Sequence, residues 1–254
     1  MLKIRVSASC QTGMVRDHNE DAILVSRQLI RDNEVNTSAF LGKDERYVVA
    51  VCDGLGGQNA GEIASMDAVE QLSRRVETLR SGQSVERIRQ VMTDWVKDEH
   101  SYLLQTGNDD ACMKGMGTTL VGLLFYEGHI CWMNCGDSRL YRMRNGILRQ
   151  ISSDHSLIKV THNSADAHVI LNCLGGGAEE VFLDFVDMTS EVLEGDVFLL
   201  CSDGLTDMLS DEMIENKLRT TDNANDLVNT AIQQGGLDNV SVCLVSIDSL
   251  DSEK

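Results

Sequence analysis

Apolar positions along the chain change period several times, and each change marks an element. Alternation over Lys3 to Ser9, then the short runs Ala22 to Ser26 and Tyr47 to Cys52, predicts strands. Arg27 to Arg46 is polar and irregular, which predicts a loop or a ragged hairpin. The period then lengthens to that of a helix. Ile63, Ala64, Val69, Leu72, Val76 and Leu79 share one face, opened by Asn59 and Glu62 as N-cap and third residue. Gly82 interrupts the pattern. A second helix starts at Ser84, with Val85, Ile88, Met92, Trp95 and Leu103 along one stripe, so the two helices form an antiparallel hairpin.

The second half returns to strands. Thr118 to Tyr126 meets His129 to Cys135 across Glu127-Gly128, and Arg139 to Arg144 meets Ile147 to Ile151 across Asn145-Gly146, a strong hairpin signal. Together these predict a four-strand meander. Val181 to Val186 and Asp196 to Cys201 add two strands, and Asp211 to Arg219 and Ala224 to Gln234 add two short helices, the latter ended by Gly235-Gly236. Val240 to Ile247 is a closing strand and Ser249 to Lys254 a solvated tail. Strands that follow strands, with helices in pairs, predict an α+β fold of antiparallel sheets faced by helices. No linker or repeat divides residues 1–248, which reads as a single domain.

Acidic residues punctuate these elements. Asp53-Gly54 and Asp203-Gly204 end apolar runs, Cys135 is followed by Gly136-Asp137, Glu20-Asp21 precedes Ala22, and Asp238-Asn239 precedes Val240. A sheet that converges these ends gathers at least five carboxylates. Two such charges about 4 Å apart repel by roughly 4 kcal/mol at an effective dielectric near 20. A hard divalent cation relieves that repulsion. Carboxylates and a backbone carbonyl, without imidazole or thiolate, favour magnesium or manganese. Arg16, just ahead of Glu20, supplies a planar fork suited to phosphate. Metals beside such a group point to phosphoryl chemistry.

Composition narrows the setting. Acidic residues outnumber basic ones 40 to 22, a net charge of −18 that repels nucleic acid and anionic membranes. The N-terminus lacks a signal-peptide core, and no apolar run approaches the ~18 residues of a membrane span. The expected setting is the cytoplasm. Cys52, Cys131, Cys135, Cys201 and Cys243 lie in or against apolar runs and read as reduced packing residues. Nothing resembles a coiled coil, so the expected state is a monomer. The chain has no proline.

The ordered series Arg16-Asp17-His18-Asn19-Glu20-Asp21, Val51-Cys52-Asp53-Gly54-Leu55-Gly56-Gly57, Gly115-Met116-Gly117-Thr118-Thr119, Asn134-Cys135-Gly136-Asp137-Ser138-Arg139, Ser202-Asp203-Gly204-Leu205 and Asp238-Asn239-Val240-Ser241 resembles the metal-dependent type 2C serine/threonine protein phosphatases, in their bacterial form. The match runs from about residue 5 to 247. The resemblance implies a four-layer α-β-β-α sandwich, two antiparallel β-sheets flanked by helix pairs. It implies that Asp53 bridges two Mn²⁺ or Mg²⁺ ions, that Asp203 and Asp238 complete one site, and that Glu20 and the Gly54 carbonyl form the other. Asp21 would act through a metal-bound water, Asp137 and Asp207 would hold a weaker third ion, and Arg16 would clamp the substrate phosphate. On that pattern a hydroxide bridging the two ions attacks phosphorus in line, while metals and Arg16 stabilise the phosphoryl oxygens. The implied partners are phosphorylated proteins and a Ser/Thr kinase that the enzyme opposes.

Two departures stand out. Leu55 occupies the position where eukaryotic members commonly carry a proton-donating His, so that role falls to a metal-bound water. The flap between Asp154-His155-Ser156 and Leu174-Gly175 is shortened to residues 157–174 and lacks its customary proline; a plain shorter loop and altered substrate access are both open readings. His155 and Arg139 read as hydrogen-bonding residues that position loops. Hydrolysis of a small phosphorylated metabolite and a non-catalytic partner-binding role are the alternatives. Retention of Glu20, Asp53, Asp203 and Asp238 weighs against the latter.

Overall fold

Most strands are apolar on both faces, and the computed structural model shows why: each sheet is covered twice. It describes residues 1–56, 60–157, 161 and 169–250. One six-stranded sheet runs in the order β11 (Ile147–Gln150), β10 (Arg139–Arg144), β14 (Val197–Cys201), β15 (Val240–Leu250), β1 (Leu2–Gln11), β4 (Asn33–Leu41). The other runs β13 (Asp184–Asp187), β9 (His129–Cys135), β8 (Leu120–Tyr126), β5 (Arg46–Cys52), β2 (Ala22–Val25), β3 (Gln28–Ile30). A small third sheet joins β12 (Leu174–Gly175), β7 (Gly117–Thr118) and β6 (Gly54–Leu55). Every pairing is antiparallel.

Side-chain alternation then builds three cores. Val6 of β1, Val49 and Val51 of β5, Phe198 and Leu200 of β14 and Val245 of β15 meet between the sheets. Their neighbours turn the other way. Val48, Ala50 and Cys52 pack under α1 (Ala60–Glu77) and α2 (Val85–Asp109) with Leu72 and Met92. Leu199, Val242 and Leu244 pack under α3 (Asp203–Thr206), α4 (Asp211–Leu218) and α5 (Ala224–Gln233) with Leu205, Ile214 and Leu227. The result is the expected four-layer sandwich, and each fully buried aliphatic side chain contributes roughly 1.5–3 kcal/mol. Ser84 caps α2, accepting from Arg87 N–H at 3.3 Å.

Four expectations need correction. Arg27 to Arg46 is not a loop or ragged hairpin: it contains β3 and the nine-residue β4, paired with β1 in the register Ser7↔Asn36. As an edge strand with one face in water, β4 carries polar residues that hide its strand character. The predicted four-strand meander is split, because β8 and β9 belong to one sheet and β10 and β11 to the other. The chain changes sheet at Gly136, whose φ is +129°. The strand predicted at Val181 starts only at Asp184. Ser249 and Leu250 extend β15 opposite β1 instead of opening a tail. Asn59, the rest of the tail (251–254) and most of the shortened flap (158–160 and 162–168) lie outside the described residues.

Between α1 and α2, Asp67, Trp95 and Glu99 line a cleft of about 530 Å³. Asp67 Oδ2 and Glu99 Oε1 are buried without a hydrogen-bond donor. One proton between the two carboxyls satisfies both. Burial first, then Asp67, pushes the Glu99 carboxyl from 4.5 to about 8. The fold therefore favours protonated Glu99: the stability it adds is complete below 4.5 and is lost as pH rises through about 8. Glu99→Gln, a permanent donor to Asp67, is expected to remove this contribution to the pH dependence. The stability difference between variant and parent should grow by at most about 1.4 kcal/mol per pH unit across that window. Denaturant melts between pH 5 and 8.5 check it, and a difference independent of pH would contradict it.

Candidate active site

Strand register brings the acidic residues to one end of both sheets. Ala22 pairs with Cys52 and Val51 with Val121, so Glu20, Asp21 and Asp53 leave the second sheet on one side. Cys135 pairs with Leu120, which places Asp137 there too. In the first sheet Cys201 pairs with Val242, setting Asp203 and Asp238 at the corresponding end. A hydrogen bond joins the two edges: Ser202 Oγ donates to Asp21 Oδ2 at 2.8 Å.

Small residues and amides fix this edge. The backbone of Gly204 lies so close to the next turn that a Cβ would stand 1.9 Å from the Asn239 carbonyl oxygen. Any side chain there would push the helix bearing Asp203 away from Asp238. At Gly54 a Cβ would stand 2.3 Å from Gly61 O and 2.5 Å from Glu20 O, so β6 meets the start of α1 directly. Asn239 receives Glu20 N–H at 2.8 Å and donates to Thr12 O and His18 O at 2.9 and 3.0 Å. Asp53 N–H donates to Thr119 Oγ1 at 3.0 Å, and the Asp53 carbonyl accepts from Thr119 N–H and Thr118 Oγ1, both at 2.9 Å. His155 and Arg139 do position loops: His155 Nδ1 accepts from Gly136 N–H at 3.1 Å, and Arg139 grips Asp154 at 2.9 Å.

The electrostatics follow from burial. Asp53 is held well above the ordinary carboxylate range, first by burial and then by Asp21, Asp203, Asp137 and Asp238. Burial pushes Asp21 up to about 7 against hydrogen bonds from Ser241 and Ser202 that pull it down. Burial and then Asp203 raise Asp137 to about 7. Asp207 closes α3, its N–H donating to Asp203 O at 2.8 Å. Glu20 Oε1 lies 3.5 Å from His18 Nε2. Arg16 Nη2 donates to Asp238 Oδ2 at 2.5 Å, and the Arg16 side chain is half exposed.

Among the described residues, no three His, Cys, Asp or Glu side chains are gathered closely enough to chelate an ion. The donors nevertheless fit a hard divalent cation. Asp53, whose ionised form neighbouring carboxyls disfavour, directly precedes Gly54, whose backbone packs against the carbonyls of Glu20 and Gly61, and all eight cysteines are unpaired thiols. Residue patterns alone missed the supports. Arg31, inside the segment read as a loop, donates from Nε to Asp21 O at 2.7 Å and from Nη2 to Ser65 Oγ at 2.8 Å. Ser65 in turn bonds to Glu20 O. Arg31-Asp32-Asn33, a polar triplet after an apolar Ile30, was the available signal.

The architecture is two facing antiparallel sheets with helices outside and a carboxylate edge beside one arginine. The family profile described as "Protein phosphatase 2C" matches residues 27–239. A serine/threonine phosphatase, stp, of Listeria monocytogenes is 31% identical over 252 residues, covering 93% of each chain. The solved serine/threonine phosphatase of S. agalactiae superposes with a TM-score of 0.81 at 28% identity, over 96% of this chain and 100% of that one. The catalytic domain of serine threonine protein phosphatase PstP, solved with two manganese ions, superposes with a TM-score of 0.75 at 29% identity over 98% and 100%. The chain belongs to the protein phosphatase 2C family. It is a serine/threonine protein phosphatase that acts on phosphoproteins. Among the described residues no helix is long and apolar enough to cross a membrane.

Proposed function

We propose that the chain hydrolyses phosphoserine and phosphothreonine at the edge where Asp53 stands, opposing a cytoplasmic Ser/Thr kinase. The observation that carries this reading is the strand register that brings Asp21, Asp53, Asp137, Asp203 and Asp238 to one end of both sheets. In this reading Asp53, Asp203, Asp238, Glu20 and the Gly54 carbonyl would hold two divalent ions, manganese or magnesium. Asp21 would support them from behind, and Asp137 with Asp207 would hold a weaker third. Bound ions of this kind acidify water near neutral pH and draw charge from phosphoryl oxygens.

The chain's own residues do the positioning. Arg16, permanently cationic, offers its solvent-facing N–H groups to the phosphate while Asp238 holds the guanidinium in place. Ser202 orients Asp21, and Asn239 ties the Glu20 backbone to the turn that bears Asp238. Residues 1–248 act as a single domain and as a monomer. Stripping divalent ions with a chelator should reduce phosphate release from a phosphothreonine peptide to background, and Mn²⁺ or Mg²⁺ should restore it. Full activity after stripping, or a preference for a small sugar phosphate, would overturn the proposal.

A further inference from the structure

The loops that carry Arg16 and Asp238 are pinned together, and the surface they present is apolar. Met14 N–H donates to Gly236 O at 2.8 Å. A Cβ on Gly236 would stand 3.1 Å from Met14 Cγ, and one on Gly235 would stand 3.9 Å from Leu237 Cγ. Met14 therefore packs on Gly236, the residue that precedes Leu237. Their side chains face water all the same: Met14 is 70%, Val15 60% and Leu237 57% exposed. Single exposed apolar residues are ordinary, but a contiguous group marks a surface that binds something. Val15 directly precedes Arg16, and Leu237 directly precedes Asp238, to which Arg16 is bonded.

We propose that Met14, Val15 and Leu237 form a specificity ridge that receives a bulky apolar side chain next to the phosphorylated residue of a protein substrate. The inference rests on the reading of Arg16 as the phosphate clamp. With a phosphate held there, an extended peptide advances about 3.3–3.6 Å per residue, so the ridge lies within reach of the positions immediately beside the phosphoresidue. A small phosphorylated metabolite has nothing to place on it. Val15 directly precedes the phosphate clamp and Leu237 directly precedes Asp238, which leaves a phosphorylated polypeptide as the fitting occupant.

The test uses the full chain with Mn²⁺, the double variant M14S/L237S, two phosphothreonine peptides bearing Leu or Ser beside the phosphoresidue, and p-nitrophenyl phosphate. The parent protein should favour the Leu peptide about tenfold in kcat/KM, equivalent to ~1.4 kcal/mol, chiefly through KM. The variant should lose that preference and turn over the aryl phosphate as the parent does. A preference that survives in the variant, or none in the parent despite good turnover of both peptides, would overturn the ridge alone. Failure of both proteins on every substrate would overturn the phosphatase reading and the ridge with it. A dimer of the parent that the variant dissolves would reassign the ridge to self-association.

Discussion

Asp53→Asn is expected to abolish turnover while making the metal-free protein more stable. The substitution keeps the shape of the side chain and leaves the backbone bonds of residue 53 to Thr118 and Thr119 untouched. It removes a carboxyl whose ionisation the fold disfavours. Asp53 is the position where burial and four neighbouring carboxyls act together to disfavour ionisation, so a neutral amide relieves the apoprotein of that repulsion. The same change takes away the shared ligand on which both proposed metal sites depend. We expect kcat on a phosphothreonine peptide to fall about a thousandfold or more, ~4 kcal/mol of transition-state stabilisation. The Tm in chelator should rise, and the Tm gain on adding Mn²⁺ should shrink. Near-normal kcat, or a Tm below that of the parent in chelator, would contradict this account.

Arg16→Ala should lower kcat/KM about a hundredfold, ~2.7 kcal/mol, with metal binding retained. The guanidinium already stands at the edge, bonded to Asp238 at 2.5 Å, yet half of its side chain faces solvent. An exposed ion pair of this kind adds little to stability, so the variant should melt within about 1 kcal/mol of the parent. The loss belongs to substrate and transition state. Arg16→Lys should recover only part of it, because a point charge replaces a planar fork. Kinetics on peptide and aryl phosphate decide the matter: equal kcat/KM in Arg16→Ala and parent would remove Arg16 from the mechanism.

Much of this architecture could be read from apolar runs alone because both faces of most strands are buried. Tyr47 to Cys52 is a continuous apolar segment, and Val240 to Ile247 is interrupted only by Ser241 and Ser246, since each is covered by a second sheet on one side and helices on the other. The edge strand β4 was hidden for the converse reason. Only Leu41 at its end is fully buried, and its polar residues resemble a loop. The split of the meander was equally hidden, because a hairpin signal such as Asn145-Gly146 reports which strands are neighbours and not which sheet they join. At the site, the acidic residues announced themselves by standing at strand ends. The groups that hold them did not: Arg31, Ser65 and Ser202 act through bonds that cross between distant segments. No local pattern encodes such a bond.

The central claim is that the acidic edge is a divalent-metal site organised by Asp53. Calorimetric titration of Mn²⁺ into the chelator-stripped protein tests it directly. Tight binding of two ions per chain is expected, the number in the PstP structure, with any third ion binding more weakly, and Asp53→Asn should lose the tight binding. No binding heat at saturating Mn²⁺, or the same isotherm for both proteins, would contradict it.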